Sequence, residues 1–96
     1  MMDSMKQADI VISTAGREKG KLFMVLKADG QQVLLIDGKY RKTENPKRKN
    51  TKHVRFVSHP ETDLTHRVCS GARFENHEIR KALAALETAQ TPAYEV

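Results

Sequence analysis

The chain has 96 residues, of which 39% are hydrophobic and 5% aromatic, and its formal net charge is +5. This length predicts one small domain whose core is filled mainly by Ile, Val, Leu and Met. No apolar run approaches the roughly 20 residues of a membrane span, and the first nine residues lack the apolar centre of a signal peptide. One cysteine excludes an internal disulfide. These features predict a cytoplasmic protein with no membrane partner.

The charge is distributed unevenly along the chain. Residues 1–58 contain thirteen Lys and Arg against six Asp and Glu, whereas residues 59–96 contain four against six. A basic first part predicts a polyanionic partner. The alternative is a basic surface that only aids solubility.

Short apolar runs separated by turn residues predict antiparallel strands in the first part of the chain. The first strand is predicted over residues 8–14, and the next two contain Leu22–Leu26 and Val33–Ile36. Asp29-Gly30 lies between the latter two, and Asp-Gly favours the tight turn of a hairpin. Asp37-Gly38 follows, so a further strand is expected to fold back on Val33–Ile36.

Alternation within the second strand predicts which of its side chains are buried. Leu22, Met24 and Leu26 lie on one face, and the other face carries Lys27 with Phe23 and Val25. The charge of Lys27 favours the first set as the interior one.

Residues 39–52, KYRKTENPKRKNTK, contain seven basic residues and one acidic residue. Repulsion among these cations predicts a mobile arm or loop that a partner neutralises; the alternative is a solvated loop. A closing strand is predicted over residues 53–57, with Val54 and Phe56 facing inward.

The remaining sequence predicts one helix. Residues 58–75 are predicted to be an irregular connection with a short turn near Thr62. A helix is predicted over residues 76–90 with Asn76 as its N-cap and an apolar stripe containing Ile79, Leu83 and Leu86. The stripe is expected to pack on its own domain, with a protein partner as the alternative. Residues 1–7 and 91–96 are expected to be flexible termini.

Catalytic and metal-binding signals are weak. No G-x-S-x-G, H-E-x-x-H or Walker-type sequence is present. His66 and Cys69 lie between His59 and His77, but the spacings are irregular and no Cys-x-x-Cys pair occurs. The sequence therefore predicts no catalytic activity, no bound metal and no cofactor. Cys69 is predicted to be a largely buried side chain.

One stretch resembles a known motif. Gly16-x-x-Lys19-Gly20-Lys21 follows a β-branched strand and precedes an apolar one, as in a KOW motif. The similarity covers residues 8–57 and is to the KOW-bearing large-subunit ribosomal proteins of archaea and eukaryotes and to small bacterial KOW RNA-binding proteins. Leu22 and Phe23 stand where the commonest KOW form has a further glycine. The resemblance implies an SH3-like barrel whose glycine loop binds RNA, with ribosomal RNA or the ribosome as partner.

These observations together predict a mostly β fold: a small SH3-like barrel of the KOW type with a basic arm and one C-terminal helix. The predicted function is non-enzymatic binding of structured RNA through contacts with the RNA phosphate backbone. Recognition of single-stranded bases is not favoured, because such binding usually needs several aromatic side chains and Tyr40 is the only aromatic residue in the basic segments. The alternative is a protein-interaction module that binds a transcription or translation factor through the barrel or the helix. The predicted RNA-binding residues are Gly16, Arg17, Lys19, Gly20, Lys21, Lys39, Arg41, Lys42, Lys47, Arg48, Lys49, Asn50, Lys52 and His53.

Overall fold

The computed structural model describes the backbone of residues 5–90 and the side chains of residues 5–87. Residues 1–4 and 91–96, parts of the predicted flexible termini, lie outside that range. The described chain is rich in β-structure, as predicted. Its strands are β1 (Ile10–Ser13), β2 (Leu22–Asp29), β3 (Gln32–Ile36), β4 (Lys47–Asn50) and β5 (Val54–Ser58), and its helices are α1 (Asp63–Ser70) and α2 (Asn76–Gln90). A 3₁₀ helix (Thr51–His53) joins β4 to β5.

The five strands form one antiparallel sheet in the order β4-β3-β2-β1-β5. Its edge strands, β4 and β5, are not paired with each other in the described chain, so the sheet is open. A flat sheet of five strands would separate these edges by about 19 Å. The connection through the 3₁₀ helix spans only four Cα steps, or about 15 Å at most. The sheet must therefore be strongly curved.

The predicted hairpin joins β2 to β3. Asp29 lies opposite Gln32, which leaves Gly30 and Gln31 as the two-residue loop. Gly30 has φ +62°, a value that glycine adopts without strain. The hairpin predicted from Asp29-Gly30 is therefore confirmed.

Both faces of the sheet are buried. Leu22 and Met24 lie in a helix-side core, as predicted, but Phe23 and Val25 are also fully buried, on the opposite face. The helix-side core consists of Ala8, Ile10, Ile12, Leu22, Met24, Ile36, Val68, Ile79 and Leu83. The strand-side core consists of Val11, Phe23, Val25, Val33, Leu35 and Val54. The helices cover one face of the curved sheet, and the strands pack against one another on the other face. Both sides of β2 are therefore interior.

Part of the predicted basic arm is a strand. Within residues 39–52, the segment Lys47–Asn50 forms β4 and pairs with β3 from Leu35 opposite Lys47 to Gln32 opposite Asn50. The prediction of a mobile arm or loop is wrong for these four residues. Pairing with a neighbouring strand has overridden their low intrinsic strand preference.

The strand predicted over residues 53–57 is present as β5 at Val54–Ser58, and Val54 is buried as expected, but within the described chain β5 is an edge strand and does not close the sheet. Phe56 is not buried, because 51% of its surface is exposed on the edge strand. The pairing of β1 with β5 shifts register between Ile10 and Val11, which leaves Val57 as an extra residue. Val57, not Phe56, packs against a core.

The predicted irregular connection contains α1. Thr62 caps this helix: its hydroxyl accepts the N–H of Thr65, and the Thr65 hydroxyl accepts the N–H of Thr62. Gly71 ends the helix in the left-handed conformation, at φ +80°. A capping box normally has Glu or Gln where Thr65 stands. The sequence did not predict this helix for two reasons. Thr65 replaces the usual Glu or Gln, and Leu64 and Val68 are the helix's only apolar residues at helical spacing.

Helix α2 has the predicted bounds and packs on its own domain, with Ile79 and Leu83 buried in the helix-side core. Asn76, the predicted N-cap, is instead the first helical residue, and its Oδ1 accepts the N–H of Thr43 at 3.1 Å. No helix within residues 5–90 is long and apolar enough to cross a membrane.

An ion pair joins the two helices. The Arg67 guanidinium of α1 donates to both carboxylate oxygens of Glu78 in α2, and also to Asp63. The bonds from Arg67, helped by one from the N–H of Glu75, lower the pKa of Glu78 from 4.5 to about 2 despite partial burial.

This pKa shift predicts how stability changes in acid. A carboxyl whose pKa is lower in the folded chain stabilises it above pH 4.5 and loses that contribution as the pH falls towards 2. Glu78→Gln should therefore lower the melting temperature at pH 7, and its difference from the parent should shrink between pH 4.5 and 3. A difference that stays constant over this range would exclude ionised Glu78 as the cause.

Candidate nucleic-acid interface

The glycine loop, residues 14–21, closes the connection between β1 and β2. Gly20 donates its N–H to Ser13 O at 2.8 Å, and Ser13 donates to Lys21 O at 3.0 Å. Gly16 and Gly20 have φ +77° and +90°, so both bends of the loop require the left-handed region that glycine tolerates. Arg17 and Lys19 lie exposed between them and form no ion pair with any other described residue.

Two cations of β4 reach this loop. The Lys49 ammonium donates to Ala15 O at 3.2 Å and to Glu18 Oε1 at 3.4 Å. The Lys47 ammonium lies 3.9 Å from Glu18 Oε2. The glycine loop and the basic segment, whose relative placement could not be derived from sequence, therefore form one surface.

Glu18 helps to stabilise this arrangement. Partial burial would raise the pKa of its carboxyl, but a backbone hydrogen bond and the ammonium groups of Lys47 and Lys49 hold the pKa below its ordinary value. The carboxylate relieves the repulsion that was expected to keep the basic segment mobile. Sequence analysis did not identify Glu18, because nothing in the sequence places it beside β4.

The three consecutive cations of β4 do not share one face. Residues paired across antiparallel strands project to the same side, so Lys47 and Lys49 lie on the side of Leu35 and Val33. Arg48 lies opposite Leu34 and lines a separate small cleft with Lys27 and Asp29. A ligand that covers the glycine loop is therefore not expected to contact Arg48.

Lys49 also differs from the other cations in its exposure. Only 10% of its side-chain surface is accessible, and its ammonium is bound by two oxygens of the loop. A long side chain of this kind buries its stem and presents its charge at the surface edge. Lys49 therefore serves first to hold the glycine loop against β4.

A second group of predicted residues surrounds the turn after β3. Asp37 Oδ1 accepts the N–H groups of Lys39 and Arg41 at 2.9 and 2.8 Å, and Oδ2 lies 3.3 Å from the Lys21 ammonium. Burial would raise the pKa of Asp37, but these donors hold it below its usual value. Lys21 is thus shared: it ends the glycine loop and contacts this turn.

The other predicted residues have varied roles. Asn50 accepts the N–H of Lys52 at 3.0 Å and so caps the 3₁₀ helix, and His53 O accepts the N–H of Thr14 at 2.9 Å. Asn50 thus supports the 3₁₀ helix, and His53 supports the glycine loop through Thr14. Lys42 and Lys52 are exposed, and Arg41 is partly exposed.

The residues considered for metal binding do not converge. Within the described residues, no group of three or more His, Cys, Asp and Glu side chains could hold a metal ion. Cys69 is exposed, contrary to the prediction that it is buried, and its thiol lies 3.4 Å from Gln7 O. His59 instead binds the buried carboxylate of Asp9, with Nδ1 and Oδ1 2.7 Å apart.

Most of the chain's positive charge belongs to these segments. Residues 14–21 and 39–53 contain ten of the 17 Lys and Arg residues but only two of the 12 Asp and Glu residues. The rest of the sequence is consequently net negative. The positive charge is thus concentrated in these two segments rather than spread evenly along the chain.

Comparisons with known proteins do not add to this geometry: no family model matches the chain, and a search of curated proteins finds no match. The KOW resemblance therefore stays a prediction.

Proposed function

We propose that this protein binds structured RNA without catalysing a reaction, using the glycine loop and the cations that surround it. The observation that carries the proposal is the contact of Lys47 and Lys49 with Glu18, because it joins two basic segments far apart in sequence into one surface. Lys and Arg neutralise phosphates, and exposed glycines allow the backbone to approach a nucleic acid closely. The proposal locates the protein in the cytoplasm.

The finer fold assignment is part of this proposal. We interpret the curved sheet as an opened SH3-like barrel of the KOW type. Its strand order and the 3₁₀ helix between the edge strands support this interpretation. The KOW resemblance makes ribosomal RNA or the ribosome the leading candidate ligand.

A protein-interaction module is the second candidate. Ile79 and Leu83 are buried, so the apolar stripe of α2 is not a free surface. Phe56, with half of its surface exposed on edge strand β5, is the feature that favours a protein partner. Binding through Phe56 would depend little on salt, whereas binding through phosphates would depend on it steeply.

The test is the salt dependence of binding to an RNA duplex, measured by fluorescence anisotropy. With about five phosphate contacts, log affinity should fall against log salt with a slope of roughly −4 to −5. Arg17→Ala/Lys19→Ala should weaken binding and flatten the slope by about two units, because these exposed side chains lie at the loop tip. Arg73→Ala/Lys81→Ala removes the same amount of charge at positions away from the proposed RNA-binding surface and should leave the slope unchanged.

Glu18→Gln is a variant that should change RNA affinity in the opposite direction. It leaves an oxygen acceptor near Lys49 but releases the charges of Lys47 and Lys49 from neutralisation. RNA affinity should rise and the slope should steepen by about one unit. A salt-insensitive wild type, or equal slopes for the two double variants, would overturn RNA binding at this surface and favour the protein-interaction module.

A further inference from the structure

A cleft of about 310 Å³ lies where the turn after β3 meets α2. Leu22 and Leu83 supply apolar surface, and Lys21, Lys39 and Arg80 supply positive charge. Tyr40, Asp37, Ala84 and Glu87 complete its lining. This volume is at the lower end of the roughly 300–1,000 Å³ of small-molecule sites. The cleft is therefore suited to a ligand group of limited size rather than to a long segment.

Tyr40 is the most exposed large apolar side chain of the described residues, at 69% of its surface. The backbone that carries it is nonetheless fixed, because the amides on either side of it, of Lys39 and Arg41, both donate to Asp37. Arg41 O in turn accepts the N–H groups of Asp37 and Gly38. A ring displayed on such a turn costs little ordering entropy when a ligand covers it.

Two ammonium groups lie over the ring in cation–π contacts. Those of Lys21 and Lys39 are 5.0 and 5.1 Å from the Tyr40 centroid. Arg80 lies at the helix side of the cleft, held by a 2.7 Å bond from its Nη1 to Gly38 O. A base that stacks on Tyr40 would take the place of one of these ammonium groups, and the displaced ammonium could pair with the phosphate of the same nucleotide, since bases stack on Tyr and phosphates pair with Lys and Arg.

The acidic residues of the cleft do not cancel this charge. Asp37 already accepts three donors, from Lys21, Lys39 and Arg41. Glu87, on α2, places a second carboxylate in the lining. Three cations against these two carboxylates leave the cleft net positive.

We propose that this cleft holds one unpaired nucleotide of the bound RNA, with its base against Tyr40 and its phosphate near Lys21, Lys39 or Arg80. The inference rests on the proposed function and narrows its ligand to structured RNA that contains an unpaired nucleotide. Lys21 connects the two parts of the interface, because it belongs both to the glycine loop and to the cleft. The paired part of the RNA lies along the loop and β4, and the unpaired base enters the cleft.

The experiment compares a blunt RNA duplex of fourteen base pairs with the same duplex carrying one extra unpaired 2-aminopurine in one strand. The wild type should bind the bulged duplex more tightly by roughly 5- to 150-fold, the range expected of one base stacked on an aromatic side chain. Tyr40→Ala should reduce this ratio to about 1 and leave the affinity for the blunt duplex unchanged. Tyr40→Phe keeps the ring and should preserve the ratio. The 2-aminopurine emission should be lower in the wild-type complex than in the Tyr40→Ala complex, because stacking quenches it.

The outcomes separate the two proposals. If neither duplex binds with a steep salt dependence, the proposed function fails. If both bind with steep slopes and equal affinities, the proposed function stands, the cleft is left to another occupant such as a protein side chain, and this inference is overturned. It is also overturned if Tyr40→Ala weakens both duplexes equally, since the cleft would then hold the RNA backbone. Melting curves of the Tyr40 variants should match the wild type, because the ring is mostly exposed.

Discussion

Gly38→Ala should destabilise the protein by about 2–5 kcal/mol, which lowers the melting temperature of a domain of this size by at least about 10 °C. Gly38 has φ +78°, a value that strains alanine. A Cβ atom at this position would also overlap the carbonyl oxygen of Asn76 and lie 3.0 Å from the backbone nitrogen of Arg80. Both atoms belong to the first turns of α2, so neither can move without shifting the helix away from the sheet.

Gly30→Ala is the matched control. Gly30 also has a positive φ, +62°, but a Cβ there would meet no atom within 4 Å. This variant should cost only about 1–2 kcal/mol, the conformational part of the effect. Thermal unfolding followed by circular dichroism compares the two. Equal melting temperatures would show that the turn after β3 does not pack tightly against α2.

Met24→Asp should have a still larger effect, a loss of more than about 4 kcal/mol, because it places an unpaired charge in the helix-side core. Met24 has no accessible surface. Small domains lie towards the lower end of the roughly 5–15 kcal/mol that stabilises folded proteins, so such a loss should leave the variant largely unfolded at 37 °C. Lys27→Asp, on the same strand but exposed, should change stability by less than about 1 kcal/mol.

Phe23→Asp extends this test to the other face of β2. Phe23 is fully buried in the strand-side core, so its replacement should be as damaging as that of Met24. Chemical denaturation of the three variants measures the difference. A mild effect at position 23 would contradict a sheet that is buried on both faces, and a mild effect at position 24 would contradict the helix-side core.

Sequence reasoning succeeded where local chemistry decides the structure. The β2–β3 hairpin follows from Asp29-Gly30 between apolar runs, and α2 follows from a stripe at helical spacing. It failed where distant contacts decide. Phe56 is paired with the buried Val11 but is half exposed on edge strand β5, and the bulge that inserts Val57 after it leaves no mark in a short alternating segment.

The candidate site shows the same division. The cations were predictable as a group because their composition is visible in the sequence. Their arrangement was not, because it depends on which strand β4 pairs with and on Glu18, a single carboxylate thirty residues away. The alternation of β4 then separates Arg48 from Lys47 and Lys49, a distinction that cannot be made while the segment is read as a loop.

The position of β4 at the edge of an open sheet has a consequence for the protein at high concentration. An exposed edge strand offers unpaired backbone groups to the edge of another molecule, which is a common route to aggregation. Here that edge carries three consecutive cations, Lys47 to Lys49. Two copies approaching through β4 would bring like charges into register, and the repulsion opposes pairing. The side chains of β4 thus disfavour edge-to-edge pairing of two copies through this strand.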